Sequence, residues 1–164
     1  MIELRKITWD NWEECINLQI TEEQEEKDYV PSNLYSLAQA YVSLVSKESN
    51  ENPLTIYAIY NDETMIGFTW VYYDTAWHEY DNEPCYVINR FMIDKQYQNR
   101  GFGKQAMIEL LSYIKTYPHG EAKAVYLSYD RRNTVAIKMY QSLGFVETGK
   151  CVREPPEVVA KLIL

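Results

Sequence analysis

A short glycine-containing segment in the second half of the chain has the residue types of an anion-binding loop. It runs from Gln98 to Lys104, reads Gln-Asn-Arg-Gly-Phe-Gly-Lys, and lies between a predicted strand ending at Ile93 and a predicted helix. Glycines let backbone N–H groups turn toward a ligand, and the N-terminus of the helix adds aligned N–H groups. Arg100 and Lys104 add positive charge. The segment is not a Walker loop, but its chemistry indicates pyrophosphate binding.

A second segment, 133–145, has the signals of a capped amphipathic helix. Asn133 is a favourable N-cap, and Ala136 and Tyr140 lie four residues apart on one helical face. Gly144 predicts the left-handed residue that closes the helix. Taken alone, the pattern indicates a core position for Tyr140.

Together the two segments resemble the GNAT superfamily of acetyl-CoA-dependent N-acetyltransferases. The family's phosphate loop, Q/R-x-x-G-x-G/A, is matched by 98–103. Its helix motif is matched by 133–145, which reads Asn-x-x-Ala-x-x-x-Tyr-x-x-x-Gly-Phe. The order of predicted elements over all 164 residues also agrees with this family. The resemblance implies one acetyltransferase domain, 1–164, with acetyl-CoA as cosubstrate.

The resemblance also implies roles for individual residues. The strand 91–93 would offer backbone groups to the pantetheine arm and one amide to polarise the thioester carbonyl. The loop would hold the pyrophosphate, and Asn133 would contact the arm from the other side. Tyr140 would be the catalytic acid that protonates the departing thiolate. The residues implied in acetyl-CoA binding are Phe91, Met92, Ile93, Gln98, Asn99, Arg100, Gly101, Phe102, Gly103, Lys104, Asn133, Ala136 and Tyr140.

Within the superfamily, the sequence resembles bacterial spermine/spermidine and related diamine acetyltransferases. The stretch 73–77, Tyr-Asp-x-x-Trp, is similar to the Tyr-Asp-x-Trp of diamine enzymes with one residue inserted. The acidic segment 21–28 lies where the family's first two helices line the acceptor cleft. Carboxylates along an aromatic wall complement a flexible polycation. The residues implied in acceptor binding are Glu22, Glu25, Glu26, Asp74, Trp77, Glu79 and Asp81.

Two other functions stay open on the sequence. One is acetylation of a different amine, such as a protein N-terminus, an aminoglycoside or a small amine toxin. The other is a non-catalytic module that binds acyl-CoA, although such a module needs no phenol beside the sulfur.

Asn89 departs from the diamine acetyltransferases, which often carry a glutamate early on the fourth strand. An amide cannot take a proton, and an amine with a pKa near 10.4 is neutral only about once in 10³ molecules at pH 7. A base must therefore come from elsewhere. The candidates, between which the sequence does not decide, are a residue of 22–28, Glu79, Asp81 or Glu83 through water, His78 and His119.

Charge is distributed unevenly along the chain. Residues 1–85 hold four Lys/Arg and seventeen Asp/Glu, whereas 86–164 hold twelve and seven, for a net charge of −8. The acidic half is expected to attract the amine and the basic half the acidic cosubstrate. The net charge argues against sequence-independent binding to nucleic acid.

Cysteine spacing and hydropathy indicate the cellular compartment in which the protein is expected. Cys15, Cys85 and Cys151 are widely separated and form no C-x-x-C pair, which indicates neither a disulfide framework nor a metal site. The sequence shows no signal-peptide core and no apolar run of membrane-spanning length. We therefore expect a cytoplasmic protein with no metal and no membrane partner.

Periodicity and turn residues predict an α/β fold with a mixed, mostly antiparallel sheet flanked by helices on both faces. The predicted strands are 2–7, 54–60, 65–73, 85–93, 123–129, 145–150 and 158–163. The first predicted helix opens at Thr8 or Asp10 and runs to about Leu18, and the others are 33–46, 101–116 and 133–142. The segment 21–28 is an acidic connection with no apolar face. The resemblance implies a homodimer that pairs through the strand-rich end at 145–164.

Two side-chain patterns support particular elements. A helical period of apolar residues predicts that the second helix extends to about Ser46, and these residues are Leu34, Leu37, Ala38, Tyr41 and Val45. Strict alternation in the strand 85–93 predicts one shared face for Tyr86, Ile88, Arg90 and Met92.

Overall fold

The computed structural model describes residues 1–46, 53–75, 82–153 and 156–164. Within these ranges the chain forms one seven-stranded sheet and five helices. The strands are β1 (Ile2–Lys6), β2 (Leu54–Asn61), β3 (Thr64–Asp74), β4 (Cys85–Ile93), β5 (Ala124–Tyr129), β6 (Val146–Val152) and β7 (Glu157–Ile163). The helices are α1 (Trp12–Asn17), α2 (Glu22–Glu26), α3 (Asn33–Val45), α4 (Phe102–Ile114) and α5 (Thr134–Ser142).

The strands lie in the order β1-β2-β3-β4-β5-β7-β6. The β4–β5 pair is parallel and the other neighbours are antiparallel. α4 and α5 pack on one face of the sheet through a core that includes Met107, Leu110 and Tyr140. α1 and α3 pack on the other face, where Cys15 and Ala40 are buried. The predicted fold class is therefore confirmed.

Helix ends follow the capping signals read from the sequence. Asn133 caps α5, since its side-chain oxygen accepts a hydrogen bond from the Ala136 N–H at 3.2 Å. Ser32 caps α3 in the same way through the Tyr35 N–H at 3.2 Å. Gly144 adopts a φ of +94° directly after α5, which is the left-handed conformation that was predicted.

The acidic segment 21–28 is a helix rather than a connection, so that prediction was wrong. Thr21 and Gln24 form a capping box, in which each side chain accepts from the backbone N–H of the other residue. Glu22 and Glu23 at the start of α2 are favoured by the positive end of the helix dipole. The pattern Thr-x-x-Gln was the missed signal, because a short helix with no apolar stripe escapes a search for periodicity.

The apolar residues that give α3 its helical period do not face the core. Leu34, Tyr41 and Val45 are 58%, 66% and 59% exposed, and Ala38 is also exposed. Of these residues, Leu37 is partly buried against the core on that side of the sheet. The face turned to the sheet is instead small or polar, and its buried residues are Asn33, Ser36 and Ala40.

The reason for this inversion lies at the start of α3. The Asn33 amide donates to the Cys15 carbonyl at 2.8 Å, which satisfies a buried polar group and fixes the rotation of α3 against α1.

A β-bulge at Asn89 breaks the predicted alternation of β4. The register pairs Ile88 with Val71 and Arg90 with Trp70, which leaves Asn89 without an opposite residue on β3. Tyr86 and Ile88 therefore face the α4–α5 core, whereas Met92 faces the α1–α3 core. The four residues do not share one face, because the extra residue reverses the side-chain direction for the rest of the strand.

Three further features concern the described residues. No helix in these ranges combines the length and apolar character needed to cross a membrane. The same ranges hold no cluster of three or more His, Cys, Asp or Glu side chains placed to bind a metal ion. All three cysteines are free, with Cys15 and Cys85 buried and Cys151 exposed.

Candidate active site

A cleft opens where β4 and β5 separate. The two strands pair from Cys85 and Ala124 to Ile88 and Leu127, and the ladder stops at the Asn89 bulge. Beyond this point the strands line a cleft with a volume of about 330 Å³. The remaining walls come from the 98–104 loop, α5, the segment around α2, and the beginning of β7.

The 98–104 loop presents backbone N–H groups to the cleft. Asn99 and Gly101 adopt φ values of +61° and +82°, and such left-handed residues turn successive amides toward one side. No side chain caps the N-terminus of α4, which begins at Phe102. The first N–H groups of this thirteen-residue helix are therefore available to an anion.

Space beside the loop is limited by α5. A Cβ atom added at Gly103 would lie 3.4 Å from the Met139 sulfur and 3.7 Å from a side-chain carbon of Ile93. The positive φ of Gly101 disfavours any residue with a Cβ. The open helix N-terminus and the two glycines fit a pyrophosphate group.

Gln98 ties the loop to α2. Its Nε2 donates to the Ile93 carbonyl at 2.8 Å and to Gln24 Oε1 at 2.9 Å. Gln24 Nε2 donates in return to Gln98 Oε1 at 3.2 Å. The reciprocal amide pair makes α2 a wall of the cleft and fixes its distance from the loop.

Most of the residues implied in cosubstrate binding line this cleft. They are Phe91, Met92, Ile93, Gln98, Asn99, Gly101, Gly103, Lys104, Asn133, Ala136 and Tyr140. Two others do not. Phe102 packs against the hydrophobic cluster around Ile93 and Ala106, and the Arg100 guanidinium lies 5.9 Å from the centre of the Tyr97 ring.

Tyr140 lies at the edge of the α4–α5 core and also borders the cleft. Its ring stacks on that of Tyr129 and meets Phe145 edge-on, at centroid distances of 5.8 Å in both cases. The hydroxyl donates no hydrogen bond to any group in the described ranges. Burial, with a smaller contribution from Tyr129, raises the pKa of the Tyr140 phenol far above its ordinary value. The phenol is therefore protonated throughout the neutral range.

Arg90 is a buried cation at the side of the cleft, with 6% of its surface exposed. Its guanidinium donates to the Asn89 carbonyl at 2.8 Å and to Gln39 Oε1 at 2.9 Å, and it lies 5.6 Å from the centre of the Trp70 ring. Within the described ranges no carboxylate forms an ion pair with it. Burial lowers the pKa of Arg90, with the nearby Arg153 acting in the same direction.

A polar cluster spans the end of the cleft where β7 begins. Glu157 accepts hydrogen bonds from the Ser128 hydroxyl at 2.5 Å and from Arg153 Nη1 at 3.3 Å. Arg153 Nη2 also donates to Asn89 Oδ1 at 3.3 Å. All four residues line the cleft, so side chains of β4, β5 and the start of β7 meet at one point.

The described residues that were implied in acceptor binding do not line the cleft, unlike most of those implied in cosubstrate binding. Glu22, Glu25 and Glu26 are exposed on α2 and do not line the cleft, whereas Gln24 of the same helix does. Asp74 is buried at the end of β3, paired with Cys85 and away from the cleft. Trp77, Glu79 and Asp81 lie outside the described residues.

Among the suggested bases, none within the described ranges reaches the cleft. Glu83 forms an exposed ion pair with Lys123 at 2.7 Å. His119 shares a hydrogen bond of 2.7 Å with Thr55, and burial lowers its pKa. Neither residue lines the cleft, and His78 lies outside the described residues.

Several cleft residues were missed in the sequence. Ser128 and Tyr129 are the last residues of β5, beyond its parallel pairing with β4, and Asp130 follows them. This position was the signal that could have found them, since ligands favour the carboxyl ends of parallel strands. Arg153 and Glu157 had no such signal. Their position depends on β7 pairing with the far side of β5, which no local pattern encodes.

Comparison with known proteins agrees with this geometry. The model of the acetyltransferase (GNAT) family matches residues 3–145. A spermine/spermidine N(1)-acetyltransferase of Bacillus subtilis strain 168 is 26% identical over 161 residues, which cover 98% of this chain and 97% of that relative.

Solved structures share the fold at lower identity. The aminoglycoside acetyltransferase AAC(6')-Ib in complex with coenzyme A superposes with a TM-score of 0.75 at 18% identity, over 99% of this chain and 95% of that one. A spermidine N-acetyltransferase from Vibrio cholerae, in complex with coenzyme A and spermine, has a TM-score of 0.69 at 18% identity and the same coverage.

Proposed function

Because the chain belongs to the GNAT family of acetyltransferases, we propose that it transfers the acetyl group of acetyl-CoA to a primary amine of a polyamine such as spermine or spermidine. The amine attacks directly in a ternary complex, and no residue of the chain is acylated. The observation that carries this proposal is the cleft itself, which has the phosphate loop on one wall and Tyr140 on another.

The cosubstrate supplies an activated thioester, and the chain supplies the groups around it. Amides of the 98–104 loop and of the α4 N-terminus hold the pyrophosphate, assisted by the charge of Lys104. The strand 91–93 and Asn133 lie on opposite walls and bind the pantetheine arm between them.

Tyr140 delivers a proton to the departing thiolate. An unperturbed phenol has a pKa near 10 and a thiol one near 8.5, so the phenol is the weaker acid. Proton transfer from the phenol to the thiolate is therefore unfavourable by roughly 2 kcal/mol. Burial raises the pKa of Tyr140 and increases that cost. The proton therefore moves as the carbon–sulfur bond breaks, when the sulfur gains its negative charge.

The polyamine acceptor is supported by the curated relatives and by the charge of α2. Relatives named as spermine acetyltransferases match nearly the whole chain at 26% identity. Glu22, Glu25 and Glu26 give α2 an acidic outer face beside the cleft wall formed by Gln24. We propose that this face attracts a polycation to the mouth of the cleft, and that the charges of Glu79 and Asp81 add to the attraction.

An amine panel tests the acceptor. Purified protein is incubated with acetyl-CoA and with spermine, spermidine, a monoamine, an aminoglycoside or a peptide with a free N-terminus. Acetylated product is read by mass spectrometry, because the exposed thiol of Cys151 would react with reagents that detect free coenzyme A. We expect the highest kcat/KM for spermine or spermidine. A higher kcat/KM for another class of amine would overturn the proposed polyamine acceptor but not the proposed acetyltransferase activity.

We also propose that the protein is a cytoplasmic homodimer. β6 is an edge strand of the sheet, so its free side is available to pair with a second copy. Sedimentation velocity on the purified chain tests this, since a monomer at micromolar concentration would contradict it.

A further inference from the structure

The cleft contains a carboxylate that the sequence did not single out. Two carboxylate residues, Asp130 and Glu157, line it within the described ranges. The amide of Asn89 cannot accept a proton at the bulge where a base was expected. The described base candidates are Glu83, His119 and the carboxylates of 22–28, and none of them lines the cleft.

We propose that Glu157 is the general base that removes a proton from the acceptor amine. This inference rests on the proposed acetylation of a primary amine, but not on that amine being a polyamine. In this proposal the base lies at the start of β7, which pairs with β5, and not on β4, where Asn89 occupies the expected position.

The contacts of Glu157 hold its carboxylate toward the cleft. Ser128 on β5 donates to Oε2, and Arg153 donates to Oε1. Arg153 also holds Asn89 Oδ1, so the carboxylate is joined to the bulge through one side chain. About a fifth of the Glu157 side chain (19%) remains exposed, which leaves it accessible to a ligand.

Asp130 is a weaker candidate because a single guanidinium, that of Arg132, holds both of its oxygens at 3.0 Å or less, whereas the Arg153 guanidinium contacts one oxygen of Glu157 at 3.3 Å. The Arg132 side chain donates to Oδ1 at 3.0 Å and to Oδ2 at 2.6 and 3.0 Å. This pairing lowers the pKa of Asp130 and makes it a poorer proton acceptor.

The charges around Glu157 assist the proposed step. Arg90 on β4 and Arg153 before β7 are two cations that line this part of the cleft, together with Tyr129 at the end of β5 and Asp130 directly after it. Nearby positive charge disfavours an ammonium ion relative to the neutral amine.

The protons balance over the reaction. The ammonium nitrogen gives one proton to a carboxylate oxygen of Glu157, and its lone pair forms the bond to the thioester carbonyl carbon. As the carbon–sulfur bond breaks, Tyr140 protonates the sulfur. A second proton from the nitrogen restores the phenol, and the proton on Glu157 passes to solvent.

The test compares Glu157→Gln with the wild type over pH 6 to 10, using the best amine from the panel. Glutamine keeps an oxygen that accepts from Ser128 but cannot take a proton at neutral pH. We expect kcat at pH 7 to fall about 10²-fold, with kcat/KM of the variant rising about tenfold per pH unit as free amine accumulates. The wild-type dependence should be shallower.

Other variants and readouts separate the base from a merely structural role. Glu157→Asp retains a carboxylate and should keep the shallow wild-type pH dependence at a lower rate. Glu109→Gln, an exposed change on α4, should match the wild type. Calorimetry should give the same acetyl-CoA Kd for wild type and Glu157→Gln.

Three outcomes overturn the inference. In the first, Glu157→Gln has the wild-type kcat at every pH. In the second, its kcat is reduced by the same factor at every pH. In the third, the steep rise of kcat/KM with pH is found in Asp130→Asn and not in Glu157→Gln. A wild type that acetylates none of the amines contradicts the proposed function itself, and this is seen before any variant is made.

Discussion

The rings of Tyr129 and Tyr140 stack with their centroids 5.8 Å apart and their planes 20° from parallel. One ring comes from β5 and the other from α5, so the stack joins the strand that borders the cleft to the helix that carries the proposed acid. Burial raises the pKa of both phenols, that of Tyr129 to about 12. The stack therefore keeps Tyr140 rigid and protonated.

Replacing Tyr140 by Phe should lower kcat roughly 10²-fold, the usual effect of losing a positioned acid. The fold and the acetyl-CoA Kd should be unchanged, because the ring still packs against Tyr129 and Phe145. Steady-state kinetics and calorimetry make the measurement, with the exposed Tyr41→Phe as the control. Turnover near that of the control at every pH would show that another group protonates the thiolate.

Alkaline pH should destabilise the protein through Tyr129. Its pKa is near 10 in the unfolded chain and about 12 in the folded one, because of burial and then the hydrogen bond to Glu147. Because the folded value is the higher one, the stability contribution is complete below pH 10 and is lost as the pH rises from 10 to 12.

Urea unfolding between pH 8 and 11 measures this effect. The unfolding free energy of Tyr129→Phe should fall less steeply above pH 10 than that of the wild type, even if the variant is less stable at pH 8. Tyr41→Phe should follow the wild-type slope. Equal slopes for all three proteins would contradict the assignment of alkaline sensitivity to Tyr129.

Gly101→Val should weaken acetyl-CoA binding in a folded protein. The φ of +82° is unfavourable for valine, so the amides before α4 would turn away from the ligand. Gly149→Val is a matched control, since Gly149 has a φ of +80° in β6 and open space around its Cβ position. Calorimetry should show a raised acetyl-CoA Kd for Gly101→Val and not for Gly149→Val. The same Kd for both variants would contradict the assignment of the 98–104 loop to the phosphate site.

Neutralising α2 should raise KM for spermine more than for a monoamine. The triple variant Glu22→Gln, Glu25→Gln, Glu26→Gln removes charges that act at a distance, and such interactions are screened over about 8–10 Å at physiological salt. The difference from wild type should therefore shrink as salt is added, with acetyl-CoA affinity unchanged. A variant indistinguishable from wild type at low salt would leave the acidic face without a role in binding the acceptor.

Local signals in the sequence predicted most of the elements and indicated most of the residues that line the cleft at the 98–104 loop and α5. Caps such as Asn133 and conformations such as that of Gly144 depend on residues within one turn, and the structure places them as predicted. The exposure of Leu34 and the bulge at Asn89 depend on contacts between distant segments. For the same reason the cluster around Glu157 could not be predicted, since β5, β7 and the bulge meet only in the folded sheet.

The separation of β4 from β5 also bears on aggregation. A strand edge without a neighbour is ordinarily a place where another protein chain adds a strand. Here β4 beyond Ile88 and β5 beyond Leu127 leave such edges in the middle of the sheet, enclosed by α5 and the segment around α2. A partner's strand could pair with these edges only by displacing α5 or the segment around α2. The fold thus keeps an interior sheet edge for small ligands while shielding it from other proteins.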